Sequence, residues 1–506
     1  MLQIKLFKYV IYIGLITGLY SCSNSDNLDK MAVIPTDALA VMSLDMKNIS
    51  YQIAWESFTN WEEMNKIQNM NWFNKIDKPE DLGLDLLEHY FFFINHMNSD
   101  SQIYLASVIP VSEPEKFKDK LHELEKDLQK ETIGGKEFFE NDDMAFYINQ
   151  KWILAFFDIQ NKCGTFQEEL TYLLNLSEHK NVATKPEIKN RIFDKDFQSV
   201  IWVNIEKILK STGNTTPGFL RGEITNGLRL VSGIKFLDGL MQLDLSVLVN
   251  GNELLETVSN LGKINEDILK HYNPSSLSNT VLHVDDRIWK PVFEKFSKTY
   301  EPFLTSRGVD PGSPLKAIGN NILISLDSVF WENKMVYDYR SEKKVSKPEL
   351  KYHYSFHISL HDKEIMEDIV SKLPLIYKQG DYYNFFGGMA YFKLENNAML
   401  VSNNLISLEH LKILNSKQRS SLLNKNFYHH AKIHKISNVL NSKNEYKWSG
   451  SLQSLGQNIE EIEIMGFDIH DTEFDAKMKI ICRNKEQSSL FQFMKIAYAF
   501  SKQPMN

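Results

Sequence analysis

The alternation of apolar and polar positions divides the chain into short strands set between a few helices. Strands are predicted over residues 38–45, 90–94 and 102–109, the last two joined by the turn residues Asn98-Ser99-Asp100. Asn48 is expected to cap a helix from Ile49 to about Met70. Tyr51, Trp55 and Phe58 recur in it at i, i+4, i+7, with Trp61 beyond. That spacing reads as a buried helix face rather than a sugar-stacking platform. An amphipathic helix is expected over 113–130, then a hairpin of 136–139 and 144–148 turning at Asn141-Asp142-Asp143. A strand over 152–157, a helix over 166–176, a strand over 198–205 and a loop over 211–226 come next. A long hairpin of 228–236 and 240–249 turns near Asp238-Gly239 and leads into a helix over 253–270.

The pattern then begins again. A strand over 277–285 precedes a helix over 287–300. Strands over 321–326 and 352–360 are separated by a charged loop around 343–351. A helix over 361–373 leads into a meander of 382–386, 389–394 and 398–402, with Gly387-Gly388 at one turn. A helical region over 426–440, a hairpin of 462–469 and 473–481, and a helix over 487–500 complete the pattern. Pro35 and Asp45 match Pro274 and Asp285, Met144-Ala145 matches Met389-Ala390, and Phe236 and Asp244 match Phe467 and Asp475. The common order predicts an internal duplication. The expected fold class is α+β, two similar units over 33–273 and 274–506, each an antiparallel sheet with packed helices.

The first residues obey different rules. Lys5 and Lys8 precede an almost wholly apolar run from Tyr9 to Tyr20, too short for a bilayer span of ~20 residues. Leu19-Tyr20-Ser21-Cys22 closes it in the manner of a bacterial lipoprotein signal, in which the Cys22 thiol takes a diacylglyceryl group. Residues 1–21 are thus expected to be a signal peptide and 22–32 a flexible tether, since Ser23-Asn24-Ser25-Asp26-Asn27 has nothing to pack. The remaining composition, 43% hydrophobic and 24% charged, is that of a globular protein. The formal charge of −8 and the lack of a long basic run argue against nucleic acid as a partner. Three cysteines make no disulfide framework, although Cys163 and Cys482 are available to pair.

Cys22 with its polar tether, then Val33-Ile34-Pro35-Thr36-Asp37-Ala38 running into Ser43-Leu44-Asp45, resembles the opening of lipoproteins from Bacteroides and relatives. These are known as the domain of unknown function 4836 family. Pro79-Glu80-Asp81-Leu82-Gly83-Leu84-Asp85 before Tyr90-Phe91-Phe92-Phe93 is similar to a second stretch of that family. The resemblance implies envelope location and architecture. It lends no catalytic residues.

Motifs for chemistry fail one by one. His122-Glu123 has Lys126 where a zinc protease needs its second His. Ser232-Gly233 lacks the preceding Gly of a nucleophile elbow. His353, His357 and His361 share parity with Ser355 and Ser359, which reads as the wet face of a half-buried strand. His430 and His434, i and i+4 on an expected helix, are the weak metal candidates, set against a solvated helix face. Asp142-Asp143 and Asp286-Arg287 read as a turn and a helix start. No cofactor is implied. The expected protein is lipid-anchored in the cell envelope, at the outer membrane on its periplasmic or surface side. Its expected role is non-enzymatic binding or assembly, with envelope proteins or glycans as partners. The alternative is an envelope hydrolase acting on glycan or cell-wall material at a site between the two units.

Overall fold

The computed structural model describes residues 27–501 except 61–81, 97–102, 134, 159–165, 193, 195, 212–226, 250–261, 285–297, 341, 375, 386, 410–415, 424, 443–448 and 470–472. Helices lie on antiparallel sheets, so the coarse α+β expectation holds. The chain divides into two compact units, residues 1–251 with 484–506, and residues 252–483. The expected junction at 273/274 therefore differs in two respects. Residues 262–273 belong to the second unit, because Ile264, Ile268, Leu269 and Tyr272 pack on Val281 and Leu323. The C-terminal residues return to the first unit, where Phe491 and Met494 pack against Ile53.

Among the described residues of the first unit, ten strands pair in the order β4-β5-β6-β7-β3-β2-β1-β8-β9-β10. They are β1 Ala40–Asp45, β2 His89–His96, β3 Ile103–Pro110, β4 Gln129–Ile133, β5 Lys136–Glu140, β6 Met144–Ile148, β7 Trp152–Asp158, β8 Ser199–Asn204, β9 Arg229–Leu237 and β10 Leu240–Leu248. Both faces of the sheet are covered. Phe91, Phe93, Tyr104, Phe156 and Trp202 enter one core, and Tyr90, Phe92, Leu105 and Phe157 the other. This explains why 90–94 is continuously apolar instead of alternating. Helix α1, Met46–Thr59, is capped by Asp45, which accepts from Asn48 N at 3.2 Å, so the cap lies three residues before the expected Asn48. Helix α2, Pro114–Leu124, stops short of residue 130, because β4 takes residues 129–133 to pair with β5.

Among the described residues of the second unit, ten strands pair as β14-β15-β16-β17-β13-β12-β11-β18-β19-β20. They are β11 Ser278–His283, β12 Ile318–Asp338, β13 Lys343–Leu360, β14 Ile376–Gln379, β15 Tyr382–Phe385, β16 Ala390–Leu394, β17 Ala398–Ser402, β18 Phe427–Ala431, β19 Ile459–Ile469 and β20 Glu473–Cys482. This is the order of the first unit with every strand number raised by ten. The charged stretch around 343–351 is not a loop. It is strand, paired from Asp338↔Lys343 back to Val329↔Tyr352. The helical region expected over 426–440 splits into β18 and helix α3, Ile433–Asn441, since residues 427–431 fill the place between β11 and β19.

The segment after β20 closes the first unit. Gly239, at φ +63°, turns the β9–β10 hairpin and donates its N–H to Gln487 O at 2.8 Å. Ser488 N reaches Glu56 Oε1 at 2.6 Å, and Gln487 Nε2 reaches Asn60 Oδ1 at 2.8 Å. Helix α4, Ser489–Ser501, comes directly after these bonds.

Candidate functional site

The second unit buries polar side chains that the sequence pattern assigns to solvent. Ser355, His357 and Ser359 of β13 are buried, whereas Tyr352 on the opposite parity is 56% exposed. The wet-face reading of His353, His357 and His361 is thereby inverted at its centre. The cause is residues 262–273, which sequence spacing assigned elsewhere. His271 lies over His357, their ring centroids 5.2 Å apart. Glu395 Oε2 stands 3.8 Å from His271 Nε2. Burial depresses the His357 pKa to about 3, and neighbouring His271 adds to the fall. Burial also lowers His271, against the opposing pull of Glu395. The Nδ1 atoms of both rings are buried without a hydrogen-bond partner. Burial thus favours the neutral form of both imidazoles.

Around it the polar layer is knitted together. Ser325 Oγ donates to Asn279 Oδ1 at 2.7 Å, Ser276 Oγ to Asp327 Oδ1 at 2.7 Å, and Asn321 N to Ser359 Oγ at 2.9 Å. Such bonds make burial of small polar residues tolerable and fix strand register. Tyr272 packs on Tyr428 with ring centroids 6.2 Å apart, and burial raises the Tyr272 pKa to about 12.

Among the described residues, Ser328 and Thr280 each place a hydroxyl against an imidazole. Ser328 Oγ lies 3.0 Å from His353 Nδ1, and Asn404 Nδ2 donates to the same nitrogen at 2.9 Å. A nucleophile and an orienting group sharing one ring nitrogen cannot relay a proton through the ring. Thr280 Oγ1 meets His429 Nδ1 at 2.9 Å. In the first unit, Gln167 Nε2 donates to Glu131 Oε2 and to Glu140 Oε1, the latter at 3.1 Å. Burial raises the Glu140 carboxyl, and the Gln167 bond only partly opposes it. A depression of about 480 Å³ lies nearby, lined in part by Glu168, Tyr172, Asn175 and Lys180.

Of the residues singled out by the sequence, Cys22, Cys163, Trp61 and Asp286 lie outside the described residues. Cys482 is fully buried at the end of β20. His430 and His434 do not share a helix. His430 sits in β18 with Nε2 3.2 Å from Glu461 Oε2, while His434 lies in α3 with Nδ1 3.2 Å from Glu460 O. One helical turn therefore does not bring the two rings together on a shared ion. Among the described residues no three His, Cys, Asp or Glu side chains form a metal-binding group. Asn141 Oδ1 accepts from Asp143 N and Met144 N at 3.0 Å, so Asp142-Asp143 is a turn as expected. Tyr51 and Trp55 are 57% and 68% exposed on α1, which overturns the buried-stripe reading for those two residues. Among the described residues no helix is long and apolar enough to cross a membrane.

No family model matches the chain, and no curated protein matches it. Among solved structures, three crystal forms of TP0453 are similar at 12–13% identity and TM-scores of 0.27–0.30. The matches cover 47% of this chain and 82–88% of the other.

Proposed function

We propose that the chain is a lipid-anchored envelope protein with a binding or assembly role, fixed at the outer membrane through Cys22 and acting on envelope proteins or glycans. The anchor rests on the run Leu19-Tyr20-Ser21-Cys22 and the polar Ser23-Asn24-Ser25-Asp26 behind it, while Asn27–Met31 of the expected tether is instead a helix whose Met31 is buried in the first core. The binding role rests on one observation: Tyr51 and Trp55 stand one turn apart on α1, both more than half exposed. Rigid aromatics with a polar tip are the side chains that anchor protein and sugar contacts. The two units descend from an internal duplication on this reading, supported by strand orders that differ only by ten. The resemblance to the domain of unknown function 4836 lipoproteins belongs to the same proposal.

Two measurements test it. Cys22→Ala releases the protein from the membrane fraction; retention refutes the lipid assignment. Capture from intact envelopes recovers a specific protein or glycan with the native chain and loses it with Tyr51→Ala/Trp55→Ala. Equal recovery by both chains refutes the platform. A hydrolase with its site inside the first unit, rather than between the units, has one supporting feature, the Glu131–Gln167–Glu140 bridge, since burial raises the Glu140 carboxyl toward the protonated form that a general acid needs. Turnover of cell-wall glycan that Glu140→Gln abolishes would establish it in place of the binding role.

A further inference from the structure

The β12–β13 hairpin outgrows its sheet. Pairing with β11 ends at Leu326, and pairing with β17 ends at Ser355. Beyond these points the two strands pair only with each other, for ten rungs from Val329↔Tyr352 to Asp338↔Lys343. At ~3.4 Å per residue this is an arm of roughly 30 Å. Its base is fastened, since Trp331 Nε1 donates to Val439 O of α3 at 2.8 Å. The ion pairs also lie near the base, where Glu349 takes Lys334 at 3.5 Å and Lys351 at 3.0 Å.

Further out the composition changes. Met335, Tyr337 and Tyr339 are 61%, 47% and 86% exposed, and the two tyrosine rings pack edge to face at 5.2 Å. Met335 and Tyr337 have the same parity, so they share one face of the ribbon. Between Lys334 and Lys347 stand five cations, Lys334, Arg340, Lys343, Lys344 and Lys347, against two carboxylates, Asp338 and Glu342, in a chain whose formal charge is −8. Another protein's strand is a poor occupant. Both edges carry lysines, and β13 carries Pro348, the residues that block edge-to-edge pairing. Aromatic rings with a polar tip beside an excess of cations match the boundary of an anionic bilayer instead.

We propose that this ribbon is a membrane-contact arm: its tip lies on an anionic lipid surface, with Tyr337, Tyr339 and Met335 at the acyl boundary and Lys343, Lys344 and Arg340 on headgroup phosphates. The proposal is independent of Cys22, because the arm acts without acylation. The test uses the chain from residue 22 onward with Cys22→Ser, so that no lipid is attached. It is sedimented with vesicles of phosphatidylglycerol and phosphatidylcholine, and with vesicles of phosphatidylcholine alone. Binding to the anionic vesicles that weakens with salt is expected. Each cation at such a surface contributes about fivefold in affinity, so Lys343→Glu/Lys344→Glu should lower it about 25-fold or more. Tyr337→Ser/Tyr339→Ser should also lower it. Lys263→Glu/Lys477→Glu changes net charge equally at exposed positions away from the arm and should leave binding near the native value. Melting curves of each variant establish that it folds. No binding to anionic vesicles, equal binding to both vesicle types, or equal losses from ribbon and control variants overturns the proposal. So does self-association in solution that the ribbon variants abolish, since the arm would then serve a second copy of the chain.

Discussion

Acidifying the protein from pH 7 to pH 5 should destabilise the second unit through His357, by an amount the structure sets. The ring is almost wholly buried, its Nδ1 has no acceptor, and its pKa is depressed to about 3. In the unfolded chain an ordinary histidine has a pKa of about 6.5. Between these values the unfolded state binds the extra proton, so stability falls as pH falls from about 6.5 toward 3, and is level above that window. At pH 5 the unfolded chain lies about 1.5 pH units below its pKa while the folded ring stays neutral, a loss of about 2 kcal/mol. His271 is depressed for the same reason and moves stability in the same direction. The charged groups acting on it, Glu395, Asp267, Lys270 and Lys393, act partly against one another, so they leave the sign unchanged. Urea titrations at pH 7 and pH 5 measure the effect. With a slope of about 3 kcal/mol/M the midpoint should fall by roughly 0.7 M. His357→Phe keeps a flat ring, gives up no Nδ1 bond and cannot titrate, so it should remove most of the drop. His357→Gln controls for overpacking by the larger ring. Equal midpoints at the two pH values, or a full drop retained in both variants, would refute the reasoning.

Three further outcomes rest on local geometry. Gly239→Ala places a Cβ 2.6 Å from the Lys485 Cα at a φ of +63°, so it should lower stability by at least about 2 kcal/mol in thermal melts. Asp362→Ala removes the side chain that accepts from Ile365 N at 3.0 Å at the start of the Lys363–Lys372 helix, and should cost about 1 kcal/mol by chemical denaturation. Phe156→Ala empties a fully buried site between Tyr104 and Phe166, at centroid distances of 5.5 and 6.2 Å. It should cost about 3–5 kcal/mol, read as a shifted denaturation midpoint.

Much of the strand ladder was legible in the sequence, because each hairpin there is a local event. Residues 144–148 and the Asp238-Gly239 turn are set by alternation and turn chemistry alone. The errors arise where a distant segment decides. The His357 face looks wet until residues 262–273 are laid upon it, and nothing in β13 announces that cover. The stretch around 343–351 looks like a loop because lysines predominate in it. The same alternation of Lys, Val, Ser and Pro suits a ribbon whose far faces meet solvent, and only the partner strand 329–338 decides between them. Tyr51 and Trp55 carry helical spacing correctly, but spacing cannot say whether a neighbouring element arrives to cover them. His430 and His434 fail for a related reason. Four residues span a helical turn only if the helix is continuous, and β18 ends at Ala431.

The closing of the first unit by residues 484–501 has a consequence for how the protein is made. Gly239, Glu56 and Asn60 all wait for partners that lie more than two hundred residues further along the chain. A ribosome must therefore finish the entire second unit before the first can be completed. A chain threaded N-terminus first through a translocation pore would meet the same condition on the far side. Until residues 484–501 arrive, the first unit lacks the bonds that Gln487 and Ser488 bring to it. Its final closure reports that synthesis has reached Ser501.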